Sequence, residues 1–357
     1  MKHSFGNLVA GGLVAAGLAI PAQAQEKVQL TAAFGHPEVF LWVSTFRDVF
    51  IPVLEEELAK TGEIEIEWTE AYGGTLVKIG SEVEGFETGI ADAGFVNAIF
   101  NPATLGIMNM TYAMPFGPTD PRQVTAAAEA ALYNTEGLLD DLAESNGVVY
   151  IGGGIAIDDY NIGATKALPT LADFEGLKIG GGGPNLPWLE PTGAVGVQGS
   201  YVTFYNDIAT GVYDGQIGWM TANVPAKMYE VAPYWNQWHF GAMYIGGIGV
   251  SKMRWDTFSD DTKAAFRTAA AAYSEAYFTE QDARYNAAKE TLLANGGEII
   301  EGDAADRAKW IAELPNPTSA WRAAAEARGE PALEVLTAYR DALAADGFTF
   351  ERDYIAE

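Results

Sequence analysis

Four consecutive glycines, Gly180–Gly183, interrupt the stretch LKIGGGGPNLPWLE between Leu177 and Glu190. A backbone without side chains can approach a bound anion closely, or simply turn sharply. A phosphate loop needs Lys-Ser/Thr after its last glycine, and Pro184-Asn185 stands there instead. IGGGIAIDD (Ile151–Asp159) shares the other shortcoming: neither run occupies the first strand–helix turn where a dinucleotide fingerprint belongs. Both read as close backbone approach or tight turns. The histidines are His3, His36 and His239, with no metal or triad spacing among them. Serine fares no better, since Gly199-Ser200 lies between Gln198 and Tyr201 rather than in G-x-S-x-G. Acidic pairs such as Asp158-Asp159 and Asp260-Asp261 read as caps and solvated turns in so acidic a chain. With no cysteine, disulfides, thiolate metal sites and cysteine nucleophiles are excluded. No enzymatic constellation emerges, and no metal or cofactor is expected. Aromatic residues are more informative: Trp188, Tyr201, Phe204, Trp219, Trp235 and Trp238 crowd one part of the second half. Most suit a core; Trp219, beside Gly218 at the end of an apolar run, is the best pocket candidate.

The elements that position these residues belong to an exported chain. Lys2, the uncharged stretch Leu8–Ile20 and the small-x-small Ala22-Gln23-Ala24 form a secretory leader over residues 1–24, with the mature chain beginning near Gln25. No later segment approaches the roughly 20 apolar residues of a membrane span, so direct membrane insertion is not expected. The formal net charge of −27 repels nucleic acid and anionic membrane surfaces. Without disulfide staples the protein relies on its core, and its length suits two ordinary domains.

Hydrophobic periodicity predicts a strand over Val28–Phe34, a helix over Phe40–Lys60, a strand at Ile64–Trp68, a helix over Leu76–Thr88 and a short buried strand at Ala91–Val96. That order suggests a largely parallel α/β sheet. A second set follows, with strands at Val148–Ile151, Leu177–Ile179 and Gly215–Trp219. The longest helix candidate runs from Asp260 to Asn295 with Ser259 as N-cap, either one helix reaching across two lobes or a bent pair. No linker separates the halves, so the chain crosses between domains more than once.

In order and spacing these segments resemble the periplasmic receptors of tripartite ATP-independent periplasmic (TRAP) transporters, a C4-dicarboxylate-receptor-like family. DFEGLKIGGGGP (Asp173–Pro184) is similar to the family's L-x-G-L-K-I ligand strand, and FYNDIATGVYDGQ (Phe204–Gln216) to its T-G-x-x-D-G turn. EGFETGIADAGFV (Glu84–Val96), MPFGPTDPRQV (Met114–Val124) and MYEVAPYW (Met228–Trp235) follow in register, so the resemblance covers nearly the whole mature chain. It implies a two-lobed periplasmic-binding-protein-like α/β fold with a long helix bridging both lobes. Residues 25–150 would form lobe I, completed by part of 239–295; residues 151–238 would form lobe II, completed by the C-terminal helices 296–357. It also implies a periplasmic receptor that closes on a small organic solute and delivers it to TRAP membrane permease subunits, as monomer or homodimer. A ligand-sensing receptor and a secreted α/β enzyme are the alternatives.

One departure stands out. The family's carboxylate-clamping arginine follows L-K-I, and here that position is Gly180; no arginine occurs between Arg122 and Arg254. A guanidinium fork is poorly replaced by lysine. Backbone N–H groups of the glycine turn could hold an anion, a bulkier ligand could fill the room, or aromatic faces and a carboxylate could hold a neutral or cationic ligand. Because open α/β sheets present ligands at their carboxyl ends, the candidate contacts are His36, Glu38 and Trp42 after the first strand, Tyr72 and Gly73 after the second, and Asn97 after the third. Tyr160, Asn161, Gly180, Gly181 and Trp219 are the candidates from the second lobe. Ordinary roles compete: core for Trp42, a turn for Asn97, a helix cap for Glu38.

Overall fold

The computed structural model describes Met1 and residues 25–356; the leader expected at 1–24 lies, apart from Met1, outside the described residues. In chain order the strands are β1 (Glu26–Ala33), β2 (Ile64–Ala71), β3 (Ala93–Asn97), β4 (Val148–Tyr150), β5 (Ile155–Ile157), β6 (Tyr160–Ala164), β7 (Lys178–Gly181), β8 (Val195–Gln198), β9 (Gly215–Trp219), β10 (Tyr234–Gln237), β11 (Met243–Ser251) and β12 (Glu298–Glu301). They form two six-stranded sheets. The first has the order β2-β1-β3-β11-β4, with β5 also pairing with β11; the second runs β12-β10-β6-β9-β7-β8. β1, β2 and β3 are parallel, as their βαβ spacing predicts, but β11 lies antiparallel between β3 and β4.

β11 does not show in the sequence pattern because it is rich in glycine, a poor strand former. The physical reason is crowding: all nine of its residues are buried. Gly246 adopts φ +123° at an irregularity in the pairing with β5, where a Cβ would overlap the Val96 carbonyl. The helix expected over Leu76–Thr88 shortens to Glu82–Glu87. Gly80, at φ +83°, breaks the earlier turn, and the buried Glu82 carboxylate accepts the Gly80 N–H at 2.7 Å. Between Leu41 and Thr61 the chain is helical, with a π turn at Phe46–Phe50. Pro52, which has no N–H to donate, follows that widened turn.

Residues Asp260–Ala294 form one continuous helix of 35 residues, not a bent pair. Ser259 caps it by accepting the Thr262 N–H at 3.1 Å. At 1.5 Å per residue it reaches about 50 Å, and it packs on both lobes. In the first, Tyr273 donates to the Trp42 carbonyl at 3.1 Å and Ser274 to that of Gly154 at 2.8 Å. In the second, Ala288 and Leu292 are buried with Trp235 and Met220.

The lobe boundaries differ from those expected. β5 belongs to the first sheet, so that lobe's chain continues past residue 150 to Ile157. The chain then crosses at Asp158–Asp159, between β5 and β6, and returns between β10 and β11. The C-terminal helices do not stay with lobe II. Ala304–Glu313 does pack there, its Trp310 buried against Phe174 and Trp238. Beyond it, Trp321 donates to the Gly106 carbonyl at 2.9 Å, and Ala332–Ala345 packs on the first-lobe helix Pro121–Asn134. Trp188, Trp235 and Trp238 are core residues, each almost fully buried.

Candidate functional site

The loop after β1 is tied to the end of β2: the Gly73 N–H donates to the His36 carbonyl at 3.0 Å and the Gly74 N–H to that of Phe34 at 3.1 Å. These bonds set the entry of the helix at Leu41 and present Phe40 and Trp42 side by side, with ring centroids 4.6 Å apart. His36 wedges behind them, its centroid 5.1 Å from each. Burial pushes its pKa down to about 4, which keeps the imidazole neutral at pH 7.

The facing wall comes from the other lobe. β9 ends at Trp219, whose ring packs 4.9 Å from Tyr201 and 5.3 Å from Tyr160. The Tyr201 hydroxyl accepts the Trp219 N–H at 3.1 Å and reaches its carbonyl at 3.3 Å, holding the strand end in place. Next to it, Asp158 accepts the Thr221 N–H at 3.1 Å and the Thr221 hydroxyl. Burial raises the Asp158 pKa to about 6. The long helix supplies Tyr277 and Arg284, seven residues apart and therefore on one face. A cavity of about 290 Å³ opens between the lobes, bounded by Phe40 and Trp42 on one side, by Tyr201, Trp219 and Thr221 on the other, and by Tyr277 and Arg284 of the long helix; Asp158 stays behind Thr221.

Charge in this cavity is sparse. Arg284 gives its Nε to Glu280 at 2.9 Å, while its terminal nitrogens hydrogen-bond to no described residue. Arg47, in the neighbouring groove, is instead saturated by Asp48 and Glu38. Among the described residues, no group of three or more histidine or carboxylate side chains is placed to hold a metal ion.

Of the sequence candidates, then, Trp42 and Trp219 meet in one cavity and the others do not line it. Glu38 is an exposed partner of Arg47. Tyr72 packs on Phe34 and donates to Glu70. Asn97 is buried at the end of β3, its Oδ1 without a hydrogen-bond partner. Tyr160 stands behind Trp219 with its hydroxyl 3.2 Å from that of Tyr112. Asn161 stitches the crossing strands, accepting the Trp238 and His239 N–H groups at 2.8 Å each.

Gly180 and Gly181 are buried inside the second sheet. A Cβ at Gly180 would stand 2.7 Å from Phe204 and 3.1 Å from Tyr213, so the room an arginine would need is filled by aromatic rings. None of Gly180–Gly183 has positive φ, so the run does not form the alternating turn of an anion nest, and Gly180 is paired with both β8 and β9. The backbone-cradle and bulky-ligand readings of the glycines both fall. Phe40, Tyr201, Tyr277 and Arg284 were not among the contact candidates of the sequence. The first two sit in loops, and the last two lie on a helix whose facing partner only the tertiary fold supplies.

Two α/β lobes, joined by crossing strands and one long helix around an aromatic cleft, define a two-lobed solute-binding protein. The chain belongs to the DctP family, bacterial extracellular solute-binding protein family 7, whose family model matches residues 45–323. The resemblance to TRAP receptors holds, and the enzyme alternative gives way to it. Its fold is similar to a TRAP periplasmic solute-binding protein from Desulfovibrio salexigens (TM-score 0.77, 17% identity, 92% of this chain and 99% of that one). It is also similar to an extracytoplasmic solute receptor of Bordetella pertussis binding pyroglutamic acid (TM-score 0.71, 19% identity, 88% and 100%). A third similar structure, from Chromohalobacter salexigens, has bound D-glucuronate (TM-score 0.69, 19% identity, 88% and 99%). A comparison with curated proteins found no match. No helix among the described residues is long and apolar enough to cross a membrane.

Proposed function

We propose that this receptor takes a small organic acid into the cleft between its lobes, closes on it, and delivers it to a TRAP membrane permease from the periplasm. The observation that carries the reading is the cavity whose walls come from different lobes, Phe40 and Trp42 from one and Tyr201 and Trp219 from the other. A solute touching both walls favours the closed state by its differential contacts, which is how ligand binding shifts an existing open–closed equilibrium. The acids carried by similar structures, pyroglutamic acid, D-glucuronate and β-D-galacturonate, support an anionic ligand class. The cation reading has no support in the cavity, which is lined by Arg284 and by no carboxylate.

A thermal-shift screen of mono- and dicarboxylates, sugar acids, amino acids, sugars and quaternary amines tests this. A ligand at 100 times its Kd adds about 2.7 kcal/mol of stability. A rise in melting temperature with an organic acid is the expected result. A response confined to neutral or cationic compounds overturns the acid assignment.

A further inference from the structure

Polar groups in the cleft are few, and most are already engaged. Tyr201 spends its hydroxyl on the Trp219 backbone, and Thr221 gives its hydroxyl to Asp158. Two donors remain, the terminal nitrogens of Arg284 and the Tyr277 hydroxyl, neither hydrogen-bonded to a described residue. They lie on the same helix face two turns apart. The remaining surface is largely ring and hydrocarbon.

A sugar acid or a dicarboxylate does not match this inventory. Each sugar hydroxyl, and any second carboxylate, would leave water without a partner. A flat apolar body with one anionic end does match: indole and phenol faces favour ring packing, and a guanidinium binds one carboxylate through paired N–H groups. We propose that the ligand is an aromatic monocarboxylate of about benzoate size, its ring between Trp42 and Trp219 and its carboxylate on Arg284 and the Tyr277 hydroxyl. Arg284, from the long helix, thus does the work that a strand arginine cannot do where Phe204 covers Gly180. This inference rests on the receptor reading above and narrows its ligand.

Isothermal titration with benzoate, its neutral isostere benzamide, succinate and galacturonate is the test, on the wild type and on Arg284→Met, Arg284→Lys and Arg47→Met. Wild type should prefer benzoate over benzamide by roughly 10- to 100-fold, the range of a charge-assisted hydrogen-bonded contact. Arg284→Met should erase that preference while benzamide still binds, which also shows the variant folded; Arg284→Lys should restore part of it. Arg47→Met should match wild type. Succinate or galacturonate binding more tightly than benzoate, or benzoate affinity indifferent to Arg284→Met, refutes the inference and leaves the receptor reading standing. No binding by any of the four also refutes it, and only a blank organic-acid screen as well would overturn the acid assignment of the receptor.

Discussion

At the scale of single residues, Gly180 and Trp219 carry opposite lessons. Gly180 stands where the sequence resemblance implies an arginine, yet its missing side chain serves packing, since Phe204 and Tyr213 lie over it. Gly180→Ala should therefore cost about 1–3 kcal/mol of stability, the usual penalty of overpacking. It should leave ligand affinity intact; a urea melt and a binding isotherm on the same sample read both. Trp219 is half-buried and forms one wall of the cleft. Trp219→Ala should weaken binding by roughly tenfold or more, a loss of 1.4 kcal/mol or above. The fold should survive, because the strand end keeps its Tyr201 bonds. Unchanged affinity would take Trp219 out of the site.

At the scale of elements, two of the crossings between the sheets, β5 to β6 and β10 to β11, are locked together around Asp159. It accepts the Gly241 N–H at 2.9 Å and the Asn161 side-chain N–H at 2.8 Å, and lies 2.6 Å from His239 Nδ1. Asp159 raises the His239 pKa above its usual 6.5; burial opposes this and Glu301 adds to it. The folded protein thus holds this proton more tightly than the unfolded chain does. Its stabilisation is complete below about pH 6.5 and fades as pH rises through the higher folded value. His239 also has φ +52°, a conformation that asparagine tolerates. His239→Asn should accordingly cost more stability at pH 5.5 than at high pH, the difference narrowing as pH rises through the folded value. An equal loss at both pH values would assign His239 a purely structural role.

Much of this element layer was legible. Ser259 and Asn295 mark the ends of the long helix, and the alternation at Ile64–Trp68 marks β2. β11 and the shortened helix at Glu82 were not, because glycines placed for crowding or left-handed turns erase the pattern that reading depends on. The cleft was half legible for a related reason. Trp42 opens a helix and Trp219 ends a strand, so both can be placed by counting, whereas Arg284 gains its role only from what the lobes bring against that helix.

At the scale of the whole molecule, closure follows from having each wall of the cavity on a different lobe while the crossings at Asp158–Asp159 and Trp238–Ala242 are short. Saturation with a bound acid should lower the radius of gyration in small-angle X-ray scattering, and Trp219→Ala should diminish that change at equal ligand concentration. The long helix, packed on both lobes, should remain straight, with bending confined to the crossings. The most direct measurement is a crystal structure of the receptor with the organic acid that gives the largest thermal shift. Ligand density between Trp42 and Trp219, with its carboxylate toward Arg284, is the predicted result. Density against Gly180–Gly183, or anywhere outside the cleft between the lobes, would contradict the account.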